Sequence, residues 1–482
     1  MSSRAGIISF GTHVPVHRLS RAVIAQHWET HGLRGERAVA NYDEDSLTMA
    51  VAAARNCLKR IVTKRIDAVY FASTTPPYLE KQSAALIAAV LGFSEETQTL
   101  DFGNSLRCGT SAIAAALNAI NGGAAETVLV CASDMRVFRP KSYHEMFCGD
   151  GAVAFLLGKE DVVAEIEWFD SYTGEIQDVW RADCERFIRT AEDRFVQEFG
   201  YSRIVRNAVG KSLNKHNLTP AEFSKVCGNF TDSRNIGKVF ASLKFSPEAQ
   251  IQSELDQTVG DTGAAMALMN AVSAMESAAP EQRLLVAGYG NGCDVLSIRT
   301  TDRISEFKSG CTTKDQVDRK ILLSSYNKYL IWRGLIEVQS VPRPPLEERQ
   351  PTPPAQWRET KGELTLSGTR CLECGTPQYP PQRVCMVCKA KDKFERYSFS
   401  CKPANVFSFS HDYIMESLDT PTTTTVVDFE GGGRMLCDMT DRKLEEVRVG
   451  IAVEFTFRKL YTVGGIHNYW WKCTPARQDK QA

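Results

Sequence analysis

Short β-rich runs alternate with amphipathic or small-residue runs through roughly the first 300 residues, the pattern of a layered α/β domain. Residues 7–11, 67–72, 99–102, 128–132 and 152–157 read as strands. Between them, Asp43 and Asp45 open a helix whose Leu47, Val51, Ala54 and Leu58 share one face, and small residues at 84–91 form another. A third helix carries Ile113, Leu117 and Ile120 along one stripe and ends at Gly122-Gly123. After residue 216 the same order resumes: a strand at 226–230, a helix from Ser233, the turn Gly260-Asp261-Thr262-Gly263, a small-residue helix and a strand at 284–287. The recurrence predicts a duplicated domain with halves at 1–165 and 216–302, separated by a charged helical insertion at 166–215.

The pattern then changes twice. Residues 303–365 read as a helical and proline-rich linker, because Pro342, Pro344, Pro345, Pro351, Pro353 and Pro354 cannot continue a helix and favour a semi-rigid spacer. Beyond a cysteine-rich stretch at 366–400, runs at 406–409, 423–429, 435–439, 452–458 and 469–473 are β-like and punctuated by glycines. Five such runs predict an all-β barrel of the OB type at 401–482.

Composition narrows the class of protein. A chain of 482 residues with 43% hydrophobic and 24% charged positions has ordinary globular usage and more length than one core organises. A net charge of -1 argues against bulk attraction to nucleic acid, and no apolar run approaches the roughly 18–20 residues of a spanning helix. Neither a nucleic-acid nor a membrane partner is expected, although Tyr469, Trp470 and Trp471 have the ring chemistry to stack bases. The N-terminus lacks a signal-peptide core, so a cytoplasmic location with reduced thiols is the expectation.

Four of the 15 cysteines are grouped as Cys371-Leu372-Glu373-Cys374 and Cys385-Met386-Val387-Cys388, two knuckles separated by ten residues. Thiolates at this spacing close a tetrahedron around zinc, and a four-sulfur shell leaves no open position, so the metal is expected to be structural. Cys108 offers different chemistry. It precedes Gly109-Thr110-Ser111 and a helix of small residues, where the positive end of the helix dipole lowers a thiol pKa and backbone N–H groups can receive an oxyanion. A lone cysteine at a helix start is more often packing, so position alone does not make it a nucleophile.

Residues 104–120 resemble the nucleophile segment of the thiolase superfamily, in the branch of 3-hydroxy-3-methylglutaryl-CoA synthases and type III ketoacyl synthases. Pro76-Pro77-Tyr78-Leu79-Glu80-Lys81-Gln82 is similar to the segment carrying that family's catalytic glutamate, Gly149-Asp150-Gly151-Ala152 to the turn before the central strand, and Gly288-Tyr289-Gly290-Asn291-Gly292 to the final glycine turn. The C-terminal module resembles the zinc-ribbon and OB-fold family that occurs beside, or fused to, thiolase-fold proteins. The resemblance implies a duplicated thiolase fold, layered α-β-α-β-α, over about residues 5–300. It further implies an acyl group carried from coenzyme A by Cys108, a proton moved at the acyl α-carbon by Glu80, and Asn291 among the site's polar groups. A homodimer is implied too, with a thiolase or dehydrogenase as a further candidate partner.

Two positions depart from the family pattern. The family histidine aligns with Asn229, and the asparagine of the Gly-Asn-Thr-Gly turn is Asp261 here. An amide cannot supply a proton, and Asp261 would accept a hydrogen bond or, if protonated, donate one. His144 is the candidate to compensate. Arg203, Arg206, Lys211, Arg234 and Lys238 are cations available to CoA phosphates, Arg234 and Lys238 foremost. The favoured expectation is an acyltransferase that forms or cleaves a carbon–carbon bond next to a thioester carbonyl. The alternatives are an acyl-CoA-binding scaffold or thiolase partner subunit, and acyl transfer to a heteroatom nucleophile.

Overall fold

In the computed structural model of the chain, the described residues are 4–59, 61, 65–229, 233–308, 311–338, 353–415 and 417–476. Nine strands join in one sheet: β1 (Gly6–His13), β2 (Ala68–Ala72), β3 (Gln98–Phe102), β4 (Val128–Asp134), β5 (Gly151–Gly158), β6 (Ala164–Thr173), β7 (Lys225–Gly228), β8 (Arg283–Tyr289) and β9 (Gly292–Thr300). Outward from the centre, β1-β5-β4-β2-β3 and β6-β9-β8-β7 repeat one plan, antiparallel, antiparallel, then parallel. Where the first half has β3, the second has a parallel bridge from Val226 to Ile251. The halves meet edge to edge through Gly6 with Glu165 and Ile7 with Ala164.

Six helices complete the layers: α1 (Ser46–Leu58), α2 (Ser83–Val90), α3 (Cys108–Asn121), α4 (Arg203–His216), α5 (Ser233–Ser242) and α6 (Met266–Ser277). The central helices α3 and α6 bury Ile113, Leu117, Leu268 and Met275 against Tyr70 and Val130 of one half-sheet and Leu284 and Leu296 of the other. Outside the first half-sheet, Leu47 and Val51 of α1 and Ile87 of α2 pack on Val69 and Leu129; outside the second, Val209 of α4 and Phe240 of α5 pack on Leu285 and Val295. This is the expected α-β-α-β-α layering. Burial on both faces explains why β2 and β5 are nearly unbroken apolar runs.

Two segments differ from the pattern-based expectation. The insertion placed at 166–215 opens inside β6, which pairs with β1 and β9, and closes with the core helix α4. Alternating glutamates hide the strand, yet Glu167 is satisfied by Arg283 Nε and Ser297 Oγ, both at 2.7 Å. Within the linker placed at 303–365, Leu323, Tyr326, Tyr329, Leu330 and Trp332 bury themselves against Leu19, Ile24 and Val39, so this stretch belongs to the first domain's packing. Residues 342–351, with their prolines, lie outside the described residues. No helix among the described residues is long and apolar enough to cross a membrane.

The C-terminal region begins with a three-stranded ribbon in which Ser367–Cys371 lies between Pro377–Gln378 and Phe394–Ser398. Ala404–Asp412, Thr422–Phe429, Arg434–Met439, Ala452–Val463 and Ile466–Pro475 then close into a five-stranded barrel. The barrel is clamped to the first domain at the acidic segment leading into α1. Arg458 Nη1 lies 3.0 Å from Asp43 and 3.1 Å from Glu44, Lys472 Nζ lies 2.9 Å from Asp43, and Arg458 also pairs with Asp441. Trp471 is buried beneath Arg55 and donates to the Leu364 carbonyl at 3.0 Å, so its ring serves domain packing.

Candidate active site and zinc site

Cys108 opens α3 where the two halves touch. Its neighbour Gly109 leaves no room for a side chain, since a Cβ there would stand 2.4 Å from the Ala264 carbonyl at the start of α6. The turn before it is pinned to the second half: Ser105 Oγ donates to the Gly290 carbonyl at 2.9 Å, and Arg107 lies 3.0 Å from Asp294. Asp294 also accepts from the Thr110 and Ser111 hydroxyls at 2.8 and 3.0 Å, locking the first helical turn. The N–H groups of Cys108 and Gly109 in that turn face the thiol, and the Cys108 N–H also donates to the Ser105 carbonyl at 3.0 Å.

The thiol is 3% exposed, and its pKa is raised well above the ordinary thiol value, by burial first and then by the charge of Asp134. Its own and Gly109's N–H groups pull the other way, as the helix terminus should, and are outweighed. The depressed pKa expected from the helix dipole is therefore overturned; the resting group is a thiol. Asp134, at the end of β4, is fully buried and accepts from Ser73 Oγ, Thr74 N and Oγ1, Thr75 N and Oγ1, and Ala264 N at 2.7–3.0 Å. It ties the loop after β2 and the turn before α6 to the nucleophile, and it escaped the sequence analysis. An aspartate closing an otherwise apolar strand was the available signal. Alkylation of Cys108 by iodoacetamide, followed peptide by peptide, should accelerate through the alkaline range; Asp134→Asn should move that rise to lower pH, and an unmoved profile would mean that Asp134 does not tune the thiol.

Glu80 lies on the same β2–α2 loop, two residues beyond Tyr78, and is exposed together with Leu79 and Lys81. It is not shielded in an apolar pocket. Asn229 follows β7 at the duplicated position and is buried, but both ends of its amide are occupied: Nδ2 donates to the Tyr289 carbonyl and Oδ1 accepts from the Tyr289 N–H, each at 2.7 Å. Asp261 forms a buried ion pair with Arg136 at 3.0 Å and accepts from Gly263 N at 2.9 Å, so it acts as an acceptor. Burial opposes the charge of Arg136, but Asp261, Cys148 and Asp134 together outweigh it and raise the guanidinium pKa. Asn291 sits in the left-handed region (φ 48°) in the turn joining β8 to β9. His144 is held at the surface by Asp193 at 2.9 Å and stacks on Phe138. Lys238 is exposed on α5, whereas the side chain of Arg234 lies outside the described residues.

The four knuckle cysteines converge. All four sulfurs lie within 4.8 Å of one another, with Cys371–Cys388 and Cys374–Cys385 both at 3.6 Å. Thiolates about 2.3 Å from a tetrahedral zinc stand roughly 3.8 Å apart, so the cluster fits that ion. Gly375 and Lys389, each just past a knuckle, take positive φ values of 74° and 64° that turn the chain back. This is a structural zinc site of four cysteines. Cys374→Ser should weaken zinc retention, read by metal analysis, by more than the about 10- to 100-fold lost when only a hydrogen bond around a ligand is removed; full zinc content in the variant would contradict the assignment.

Known proteins resemble this chain in both its first domain and its zinc ribbon. Residues 361–395 match the ChsH2 rubredoxin-like zinc ribbon domain. The hydroxymethylglutaryl-CoA synthase of Aeropyrum pernix is 30% identical over 350 residues, spanning 70% of this chain and 97% of the relative, and that of Methanopyrus kandleri is 29% identical over 339 residues, spanning 68% and 97%. Among solved structures, an HMG-CoA synthase complexed with CoA superimposes with a TM-score of 0.61 at 17% identity, covering 68% of this chain and 89% of that one. The 3-oxoacyl-(acyl carrier protein) synthase III of Pseudomonas aeruginosa superimposes with 0.56 at 18% identity, covering 62% and 98%. These superpositions establish the thiolase-like fold, and the sequence relationship shows that the chain belongs to the hydroxymethylglutaryl-CoA synthase family.

Proposed function

We propose that the protein is an acyltransferase of the hydroxymethylglutaryl-CoA synthase type, joining an acyl group carried on Cys108 to a second acyl-CoA. The observation that carries this reading is Cys108 itself, heading the central helix where the two halves meet. Attack of its sulfur on an acyl-CoA carbonyl forms acyl-Cys108 and releases CoA, whose thiolate takes the proton that Cys108 gives up. The N–H groups of the first turn of α3 are the donors available to the tetrahedral oxyanion. Glu80 then removes a proton from the acyl α-carbon, the carbanion adds to the ketone carbonyl of the second acyl-CoA, and Glu80 returns the proton to the alkoxide so formed. Water cleaves the thioester and restores the thiol. Asn229 takes no part in proton transfer, because its amide is engaged by Tyr289.

The departures at Asn229 and Asp261 favour one second reading, acyl transfer from Cys108 to a heteroatom, which needs no α-carbon base. Incubation with acetyl-CoA and acetoacetyl-CoA, with product analysis by mass spectrometry, separates the two. The proposal expects hydroxymethylglutaryl-CoA, lost in Glu80→Gln; an acyl-enzyme that turns over only with added amines or alcohols would overturn it. A homodimer is supported by the one-sided pairing of β3, whose Leu100 is 38% exposed and would be covered by a second copy. A cytoplasmic location is supported by the zinc thiolates and Cys108, which all require reduced cysteines.

A further inference from the structure

The barrel reaches the loop that carries Glu80. Its last two strands, Ala452–Val463 and Ile466–Pro475, stay paired out to Val463 and Ile466, and Gly464 and Gly465 close the tip with positive φ values. That tip rests on the β2–α2 loop. The backbone N–H of His467 donates to Tyr78 Oη at 2.8 Å, its Nε2 lies 3.3 Å from the Pro77 carbonyl, and the His467 and Tyr78 rings are 4.8 Å apart. Thr462 Oγ1, 2.7 Å from Nδ1, fixes the ring. With the Thr462 hydroxyl donating to Nδ1, Nε2 carries the proton and donates to Pro77. Burial, and then Lys459, lower the His467 pKa and keep this neutral form.

The hairpin is itself anchored away from its tip. Lys459 N donates to the Asp43 carbonyl at 2.9 Å and Tyr469 Oη to Asp45 at 2.9 Å. The loop is therefore held at two points: Thr74 and Thr75 on Asp134, beside the nucleophile, and Pro77 and Tyr78 on the barrel. Beyond Tyr78 the chain is exposed through Gln82, with Leu79 at 89%. Tyr78 is the last anchored residue before Glu80, and its anchor belongs to the other domain.

We infer that the C-terminal barrel completes the active site, with His467 as a positioning residue that sets the Glu80 loop through Pro77 and Tyr78. This rests on the reading of Glu80 as the proton carrier. A carboxylate must come within about 2.6–3.2 Å of the proton it takes, and a misplacement of about 1 Å can cost 100-fold in rate. Acylation of Cys108 does not involve Glu80, so loss of the anchor separates the two half-reactions.

The full zinc-loaded chain, acetyl-CoA and acetoacetyl-CoA serve as the test. His467→Ala and Tyr78→Phe should acetylate Cys108 at the wild-type rate by intact mass, keep zinc and the melting temperature, and lose about 10- to 100-fold in kcat with little change in the acetyl-CoA KM. His467→Gln, whose amide can still donate to Pro77, should recover most of the loss. Wild-type turnover in both His467→Ala and Tyr78→Phe, with Glu80→Gln inactive, would overturn the inference and spare the role of Glu80. Parallel loss of acetylation and melting temperature would also overturn it, showing a merely structural contact. Wild-type turnover in Glu80→Gln would overturn the inference together with the reading beneath it.

Discussion

Changing Cys108 to alanine is expected to abolish the acyl-enzyme and to lower turnover by roughly 10³-fold or more, because the sulfur is the only group proposed to bond covalently to the acyl chain. The folded state should tolerate the change. The side chain is small, and Ser105, Thr110 and Ser111 keep their bonds to Gly290, Arg107 and Asp294 whatever stands at position 108. Cys108→Ala should therefore retain its zinc and its melting behaviour. Cys108→Ser adds a sharper comparison, since a hydroxyl in the same place is a far poorer nucleophile at neutral pH. Turnover within a few-fold of wild type in Cys108→Ala would remove the covalent step from the account.

Arg458→Met should destabilise the two-domain unit by about 3–5 kcal/mol, the cost of leaving buried carboxylates without their partner. Asp43 and Glu44 come from the first domain and Asp441 from the barrel, and all face one guanidinium whose side chain is 2% exposed. Lys472 and His13 remain, at 2.9 Å from Asp43 and 2.7 Å from Glu44, and cannot replace a forked donor. Urea unfolding with a probe on each domain would show the loss, and pairing Arg458→Met with Glu44→Gln should recover part of it. A shift below about 1 kcal/mol would make the cluster a surface-like bridge. The same cluster sets an acid limit. Burial works against the Glu44 carboxylate, but Arg458, His13 and the Asn41 N–H outweigh it and hold its pKa below the ordinary range. A folded pKa depressed below about 4.3 contributes stability above that pH and loses it as the pH falls further. The barrel should therefore release from the first domain only in acid.

Legibility in the sequence followed the range over which each feature is encoded. The zinc knuckles were readable because ligand spacing is local, and the layers because doubly buried strands are written as apolar runs. The duplication was visible as an order of elements and is carried by matching strand directions, without any residue-level repeat. β6 was hidden because Glu167 is balanced by Arg283, more than a hundred residues later. The packed stretch around Tyr326 and Tyr329 was hidden because its partners, Leu19, Ile24 and Val39, lie near the other end of the chain. At the nucleophile, the helix start was local and readable, whereas the burial and the Asp134 charge that reverse its effect arise from tertiary structure. The same holds for His467 and Tyr78, 389 positions apart.

The most direct test uses the wild-type chain alone. After brief incubation with acetyl-CoA and acid quenching, peptide mass spectrometry should find one acetyl group on the peptide containing Cys108, labile to hydroxylamine as a thioester is. Unmodified Cys108 across acetyl-, propionyl-, acetoacetyl- and aromatic acyl-CoA donors, or an acyl group settled on another cysteine, would contradict the account.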